Sequence, residues 1–475
     1  MTSEVPPQAS ASQPSGASRT ALIISALVVI VWALLTFAAG RQPSTALALC
    51  ATMAEVAVLS IVIWQVCDPF ADAAQWVGHR FRLPGSVRGA TLDAVASSLP
   101  ELFSGIFFVM VALSAVAPTA EGQAVDTQAV LDASAEGYGA TIATCAGSAV
   151  YNMILIPAFC ALVISFARPQ RPTIDVDDEV IARDGVWFLS TQILLILFLF
   201  QDQMTWWMAI SFLLLYTMYI GQLAFDARQF RRRMDFLQTY LAESADATVR
   251  QIRDAARTAG LKLSPTMIVR YQDDLSDESH DAEEASSTTD SDDDADSAGI
   301  FFGYFDLPLN GTTTVGILAV STSIVAAACY FLVEATIRTA DLLQVPSFFV
   351  AVILAAAASS VPDTFLAIAA ARRGDDSGAV SNAFGSNIFD ICICMSIPLL
   401  INSWLTGWNP VSLLQDGQPI PGLFGLRILL VVLTVVNLAV MWHNRQITRQ
   451  KAIFMCGLYV IFVAYAVLGS MGIVT

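Results

Sequence analysis

Charge is scarce in this chain. Only 14% of its 475 residues are Asp, Glu, Lys or Arg, and only three are histidine. The three histidines, His79, His280 and His443, fall outside the long apolar runs. No HExxH, P-loop or GxSxG pattern occurs, so the usual constellations of soluble enzymes are missing. The eight cysteines all lie in or at the end of apolar runs and suggest no disulfide framework. Cys392 and Cys394 are two apart, so on a helix they point to different faces and read as small packing residues. An enzyme, a cofactor and a nucleic-acid partner are therefore not expected. The net charge of −17 is also local, because residues 272–296 hold twelve Asp or Glu and no Lys or Arg.

What is abundant is apolar length. Hydrophobic residues make up 55% of the chain. A helix that spans a bilayer needs roughly 20 mainly apolar residues. Eleven runs qualify: 21–39, 45–66, 90–115, 138–166, 184–201, 204–225, 312–336, 345–371, 378–401, 424–442 and 452–473. Several carry β-branched clusters, but their length favours helix over strand. The expected class is an all-α, multi-pass integral membrane protein of the plasma membrane or an organelle membrane.

Loop charge orders the spans. Lys and Arg collect in 79–88, 168–183, 228–233, 372–373 and 445–451, whereas 117–137, 201–203 and 402–423 have none. By the positive-inside rule the first set faces the cytosol, with Arg41 and Arg338 as exceptions. Residues 1–20, rich in Pro, Ser and Ala, are expected to be disordered, and 21–39 reads as a retained helix rather than a signal segment. The remaining spans divide into five (45–225), a cytosolic loop (226–311) and five more (312–473). An odd number per half makes the second half enter from the opposite side, an inverted-topology repeat. Within the loop, 226–262 is expected to be partly helical and the acidic 272–298 disordered. A calcium loop beginning at Asp290 fails, because Ala295 stands where Gly is needed and Phe301 where a bidentate Glu is needed.

The repeat is visible in the residues. SSLPE at Ser97–Glu101 returns as SSVPD at Ser359–Asp363, and GSAVYN at Gly147–Asn152 returns as GSNIFD at Gly385–Asp390. A carboxylate at the bilayer centre costs about 2.5–3.5 kcal/mol on insertion scales, so such acids mark function. Pro100 and Pro362 lack an amide hydrogen, and each is expected to kink its helix and free the carbonyl four residues back, on Ala96 and Ala358. Beside these lie Ser97, Ser98, Ser359 and Ser360. Carboxylate, carbonyl and hydroxyl oxygens are the hard ligands that suit Na⁺ and Ca²⁺. Glu101 and Asp363, brought together across a pseudo-two-fold axis, would repel unless a cation lay between them. Ser148 and Asn152 share one helix face, as do Ser386 and Asp390. Gly147 and Gly385 permit close helix packing. Asn152 facing Asp390 in the repeat puts a third carboxylate on one side only. Asp93, Glu55 and Glu334 are further intramembrane acids, either on the ion path or paired, and Arg338 is the nearest basic partner for a membrane acid.

These residues resemble the cation/calcium antiporter superfamily, and within it the potassium-dependent sodium/calcium exchangers. The matching stretches are VCDPF (Val66–Phe70), GAT (Gly89–Thr91), SSLPELF (Ser97–Phe103), GSAVYN, SSVPDTFLAIAAARRG (Ser359–Gly374) and AVSNAFGSNIFDI (Ala379–Ile391). The resemblance covers about 66–165 and 345–400, with α-repeats at about 89–165 and 345–400. It implies a ten-helix inverted repeat (5+5) plus one N-terminal helix, and antiport of Na⁺ against Ca²⁺ by alternating access. It further implies that Glu101 and Asp363 hold Ca²⁺, that the neighbouring serines help bind Na⁺ and Ca²⁺, and that Asp390 permits K⁺ co-transport. Its expected partners are the lipid bilayer and inorganic cations. Three departures stand out: Ala96 where glycine is usual, Leu99 where alanine is frequent, and Ser359 where threonine is common. The first repeat also carries an insertion at 117–137. A proton/calcium exchanger of the same superfamily is the alternative. An intramembrane aspartyl protease would need Tyr-Asp and Gly-x-Gly-Asp elements, and neither occurs.

Overall fold

Among the described residues, eleven helices are long and apolar enough to cross a membrane, one for each run read from the sequence. The computed structural model describes residues 16–42, 44–81, 83–116, 126–168, 172–176, 181–244, 247–261, 263, 268, 297–301, 303–415, 418–419 and 423–471. Most of the acidic stretch 272–298, residues 1–15 of the N-terminal tail and residues 117–125 of the insertion lie outside the described residues. The helices are α1 (Gly16–Arg41), α2 (Thr45–Arg80), α3 (Ser86–Ala115), α4 (Thr127–Ala167), α5 (Ile181–Leu199) and α6 (Trp206–Glu243). After a short α7 (Val249–Thr258) come α8 (Gly311–Leu343), α9 (Ser347–Arg372), α10 (Asp376–Leu405), α11 (Gly425–Arg445) and α12 (Arg449–Ser470).

Burial ranks these helices. The most apolar window is 67% buried in α4, α9 and α10 and 56% in α3, but 22% in α2, 28% in α8 and 0% in α1. The four helices that carry the repeated motifs therefore form the centre. Helices α2 and α8 flank them, and α1 packs outside on α2.

Several boundaries differ from the sequence expectation. Gly16–Thr20, expected to be disordered, are the first turns of α1. The second half of the 117–137 insertion is helix, because α4 begins at Thr127, where Asp126 caps it by accepting from the Gln128 amide at 3.0 Å. Helix α6 continues to Glu243, past the apolar run and into the segment expected to be partly helical, and α7 folds back on it through Leu237, Leu241, Ile252 and Ala256. Residues 297–298, placed in the disordered stretch by composition, instead open a hairpin of Ser297–Ile300 against Phe305–Pro308. It docks on α2, where the Gly299 amide donates to Asp72 Oδ2 at 3.2 Å and Ala298 packs with Ala73, Leu309 and Ile317.

Short strand pairs tie the loops in two sets. Ile174–Asp175 pairs with Gln446–Ile447, joining two of the Arg-rich connections. Gln203–Met204 pairs with Val411–Ser412, joining two connections that lack Lys and Arg. The charge segregation seen in the sequence is thus also a segregation in space.

Candidate cation site

Both repeated motifs enter the centre through a widened turn. Residues Gly89–Asp93 and Ala351–Ala355 are π-helical, and each segment begins eight residues before the first serine of its motif. Such π turns recur at functional sites because they re-aim the side chains that follow. The prolines act differently in the two copies. In α9 the helical pieces Ala356–Ser359 and Val361–Arg372 meet at Ser360, whose ψ of 3° departs from helix just before Pro362. In α3 the helix Ala94–Ala115 passes through Pro100 unbroken, so the break seen in the second copy has no counterpart in the first.

Each π turn is also where the other repeat's glycine packs. A Cβ on Gly385 would lie 2.6 Å from the Ala90 Cα and 2.7 Å from the Ala90 carbonyl oxygen. A Cβ on Gly147 would strike the Val352 carbonyl oxygen and sit 2.7 Å from the Ala356 Cβ. The contacts are two-fold counterparts: α10 against the first π turn, α4 against the second. Only glycine lets the backbones approach this closely.

That approach sets serines against acids across the repeats. The Ser97 and Ser386 hydroxyls both donate to Asp363 Oδ1 at 2.5 Å, and the two hydroxyls are 3.3 Å apart. In the mirrored set, Ser148 and Ser360 donate to Glu101 Oε1 at 3.2 and 3.1 Å and are 2.9 Å from each other. Ser359 lies beside Glu101 as Ser97 lies beside Asp363. The third acid joins from one side, with Ser148 Oγ 2.8 Å from Asp390 Oδ2, while Asn152 Nδ2 donates to Ser148 Oγ at 3.2 Å. Ser98 and Cys394 lie beside Asp390, and the Cys394 thiol contacts the Ser98 carbonyl at 3.6 Å. Ala96 and Ala358 line the same turns and are buried.

The ten polar residues of this network, Ser97, Ser98, Glu101, Ser148, Asn152, Ser359, Ser360, Asp363, Ser386 and Asp390, have no exposed surface. Each acid keeps one oxygen without a hydrogen-bond partner: Glu101 Oε2, Asp363 Oδ2 and Asp390 Oδ1, together with the Asn152 amide oxygen. Buried polar atoms left unpaired cost about 1–3 kcal/mol each. Among the described residues no Lys or Arg pairs with any of the three acids. Nor do three His, Cys, Asp or Glu side chains lie close enough to hold a metal by themselves. A cation bound here would therefore draw on hydroxyl, amide and carbonyl oxygens as well.

The other acids behave differently. Arg338 Nη2 bonds Glu55 Oε1 at 2.7 Å, so Arg338 serves Glu55 and not the central acids. Glu334 accepts from Tyr330 Oη at 2.9 Å. Asp93 is buried, with Arg88 Nε 3.8 Å from its Oδ2. Two ties on the Arg-rich side were not anticipated from sequence. Arg88 Nη2 reaches Asp375 Oδ2 at 3.0 Å, and Arg168 Nη2 reaches Asp376 Oδ1 at 2.5 Å and the Ala371 carbonyl at 2.6 Å. They fasten the α9–α10 turn to α3 and to the end of α4. Their only signal was the charged run Arg372–Asp376 inside an otherwise apolar half.

The family model described as "Sodium/calcium exchanger protein" matches residues 51–224 and 313–468, which takes in both halves of the network. Human "Sodium/potassium/calcium exchanger 5" is 24% identical over 442 residues, covering 86% of this chain and 81% of that protein. Human "Sodium/potassium/calcium exchanger 4" is 30% identical over 156 residues, which is 33% of this chain and only 20% of that protein's length. A crystal structure of an "H+/Ca2+ Exchanger CAX" superposes with a TM-score of 0.54 at 12% identity, covering 97% of this chain and 92% of the other, and so shares the fold. With that family model spanning both halves of the repeat, this chain belongs to the sodium/calcium exchanger protein family.

Proposed function

We propose that the protein exchanges Na⁺ for Ca²⁺ across a membrane, with the network around Glu101, Asp363 and Asp390 as its ion site. One observation carries this reading. Three carboxylates are fully buried at the centre of a membrane helix bundle, each with an oxygen lacking a hydrogen-bond partner and none, among the described residues, with a Lys or Arg partner. A divalent cation among them offsets most of the desolvation cost of the charges, and so do several Na⁺ ions. Glu101 and Asp363, with Ser97, Ser98, Ser148, Ser359, Ser360, Ser386, Asn152 and the carbonyls of Ala96 and Ala358, are the ligand set from which either ion is held. Because the same oxygens serve both ions, occupancy by one excludes the other and exchange becomes obligatory. An empty site, with its charges uncompensated, resists the change of access that a loaded site undergoes. The Arg-rich connections face the cytosol in this reading.

Asp390 stands where the first repeat has Asn152, and we assign K⁺ co-transport to that asymmetry. The relatives named for sodium, potassium and calcium support the choice of ions. The test is ⁴⁵Ca²⁺ flux into proteoliposomes with the Na⁺, K⁺ and pH gradients imposed one at a time. Uptake driven by an outward Na⁺ gradient at clamped pH supports the reading. Uptake driven only by a pH gradient would assign the same acids to proton/calcium exchange, and Na⁺-driven uptake indifferent to K⁺ would remove the potassium assignment.

A further inference from the structure

Helices α2 and α8 run antiparallel along each other. Near one end Glu55 meets Arg338, and near the other Ala73 packs with Ile317. Between these contacts lie Cys67 on α2 and Cys329 on α8. Each cysteine stands 30 residues before the first serine of its repeat's motif, Ser97 or Ser359, so the two are counterparts in the repeat. Counterparts of an inverted repeat meet only where the pseudo-two-fold axis passes. Both thiols are free, at most 1% exposed, and share one apolar cluster with Ile63, Val325, Ala328 and Leu332. They also lie within electrostatic reach of each other. A helical side chain leans toward the N-terminus of its own helix. On antiparallel helices that lean draws these two sulfurs toward one level. The Cys329 thiol also contacts the Pro100 carbonyl at 3.5 Å, which places the pair directly on the first motif.

We propose that Cys67 and Cys329 are a reversible redox pair whose disulfide ties α2 to α8 and halts exchange. The oxidant is a peroxide. The two thiols give up two protons and two electrons as the S–S bond forms, and the O–O bond of hydrogen peroxide takes them to yield two waters. The bridge removes the Cys329 S–H that reaches Pro100, and it fixes the two lightly buried helices that flank the densely packed centre. Any change of access that shifts α2 against α8 is then blocked covalently. The effect on flux rests on the exchange reading above, whereas the bridge itself does not.

The experiment treats the full-length protein in proteoliposomes with hydrogen peroxide and then with dithiothreitol. Cross-linked peptides are read by mass spectrometry, and ⁴⁵Ca²⁺ flux is read in parallel. A Cys67–Cys329 linked peptide two hydrogens lighter than its parts is expected, with flux falling at least tenfold and returning on reduction. Cys67→Ala and Cys329→Ala should each keep their flux under peroxide, and Cys145→Ala should remain sensitive. Absence of the linked peptide, even with copper–phenanthroline as oxidant, overturns the pair. A linked protein that exchanges at the untreated rate overturns the lock. Flux absent before any oxidation, with the linked peptide still forming, counts against the exchange reading and leaves the bridge standing.

Discussion

Gly385→Ala places one methyl group where the backbone of Ala90 already is. The new Cβ would lie 2.6 Å from the Ala90 Cα, 2.7 Å from its carbonyl oxygen and 2.9 Å from its carbonyl carbon. All three are backbone atoms, so no rotamer change relieves the overlap. Ordinary contact begins at 3.4 Å, so α10 and the first π turn must separate from 2.6 to 3.4 Å at the closest point. Overpacking of this kind typically costs about 1–3 kcal/mol. The shift also acts on the next residue, Ser386, whose hydroxyl reaches Asp363 at 2.5 Å and Ser97 at 3.3 Å. The variant should therefore melt at a lower temperature in detergent and lose most of its ⁴⁵Ca²⁺ flux. Gly147→Ala, its mirror against Val352 and Ala356, should do the same. Gly221→Ala is the control, since a Cβ there meets nothing within 4 Å and sits inside α6. It should gain up to about 1 kcal/mol from helix propensity and transport normally. Melting temperatures and fluxes for Gly385→Ala and Gly147→Ala equal to those of Gly221→Ala would refute the interlocked-repeat geometry.

Asp390→Asn makes the second repeat match the first, which has Asn152 there; Ca²⁺ flux should persist with reduced rate and lose its stimulation by K⁺, measured with K⁺ replaced by choline. Arg183 forks onto fully buried Asp184 at 2.6 and 2.8 Å. Arg183→Ala should cost about 3–5 kcal/mol by stranding that carboxylate, seen as loss of folded protein on size-exclusion chromatography. Arg338 is 52% exposed where it meets Glu55, so Arg338→Ala should shift stability by less than about 1 kcal/mol and leave flux near the untreated level.

The eleven spans and the inverted repeat were legible because apolar length and motif order are properties of the chain itself. SSLPE and SSVPD announced the centre, and the glycines before Ser148 and Ser386 announced the close packing. Which serine serves which acid was not legible. Ser97 reaches Asp363 and Ser360 reaches Glu101 in helices that each follow a π turn, and no residue type at 89–93 or 351–355 prefers a π turn strongly enough to signal it. The α4 extension was missed because the apolar run begins later than the Asp126 cap that starts the helix. Which membrane acid Arg338 serves was not legible either, because only the antiparallel packing of α2 and α8 brings Glu55 to it. The ties from Arg88 and Arg168 to Asp375 and Asp376 are long-range pairs between loops, which single-sequence patterns do not encode.

The most direct measurement is ⁴⁵Ca²⁺ uptake driven by an outward Na⁺ gradient in proteoliposomes, comparing wild type with Glu101→Gln and Asp363→Asn. Each substitution keeps the volume and hydrogen-bonding reach of its side chain and removes only the charge, so both variants should fold and elute like wild type. If the paired carboxylates hold the transported ion, uptake in each falls to the level of empty liposomes. Uptake near the wild-type rate in either folded variant would contradict the claim that these two acids, one from each repeat, form a single exchange site.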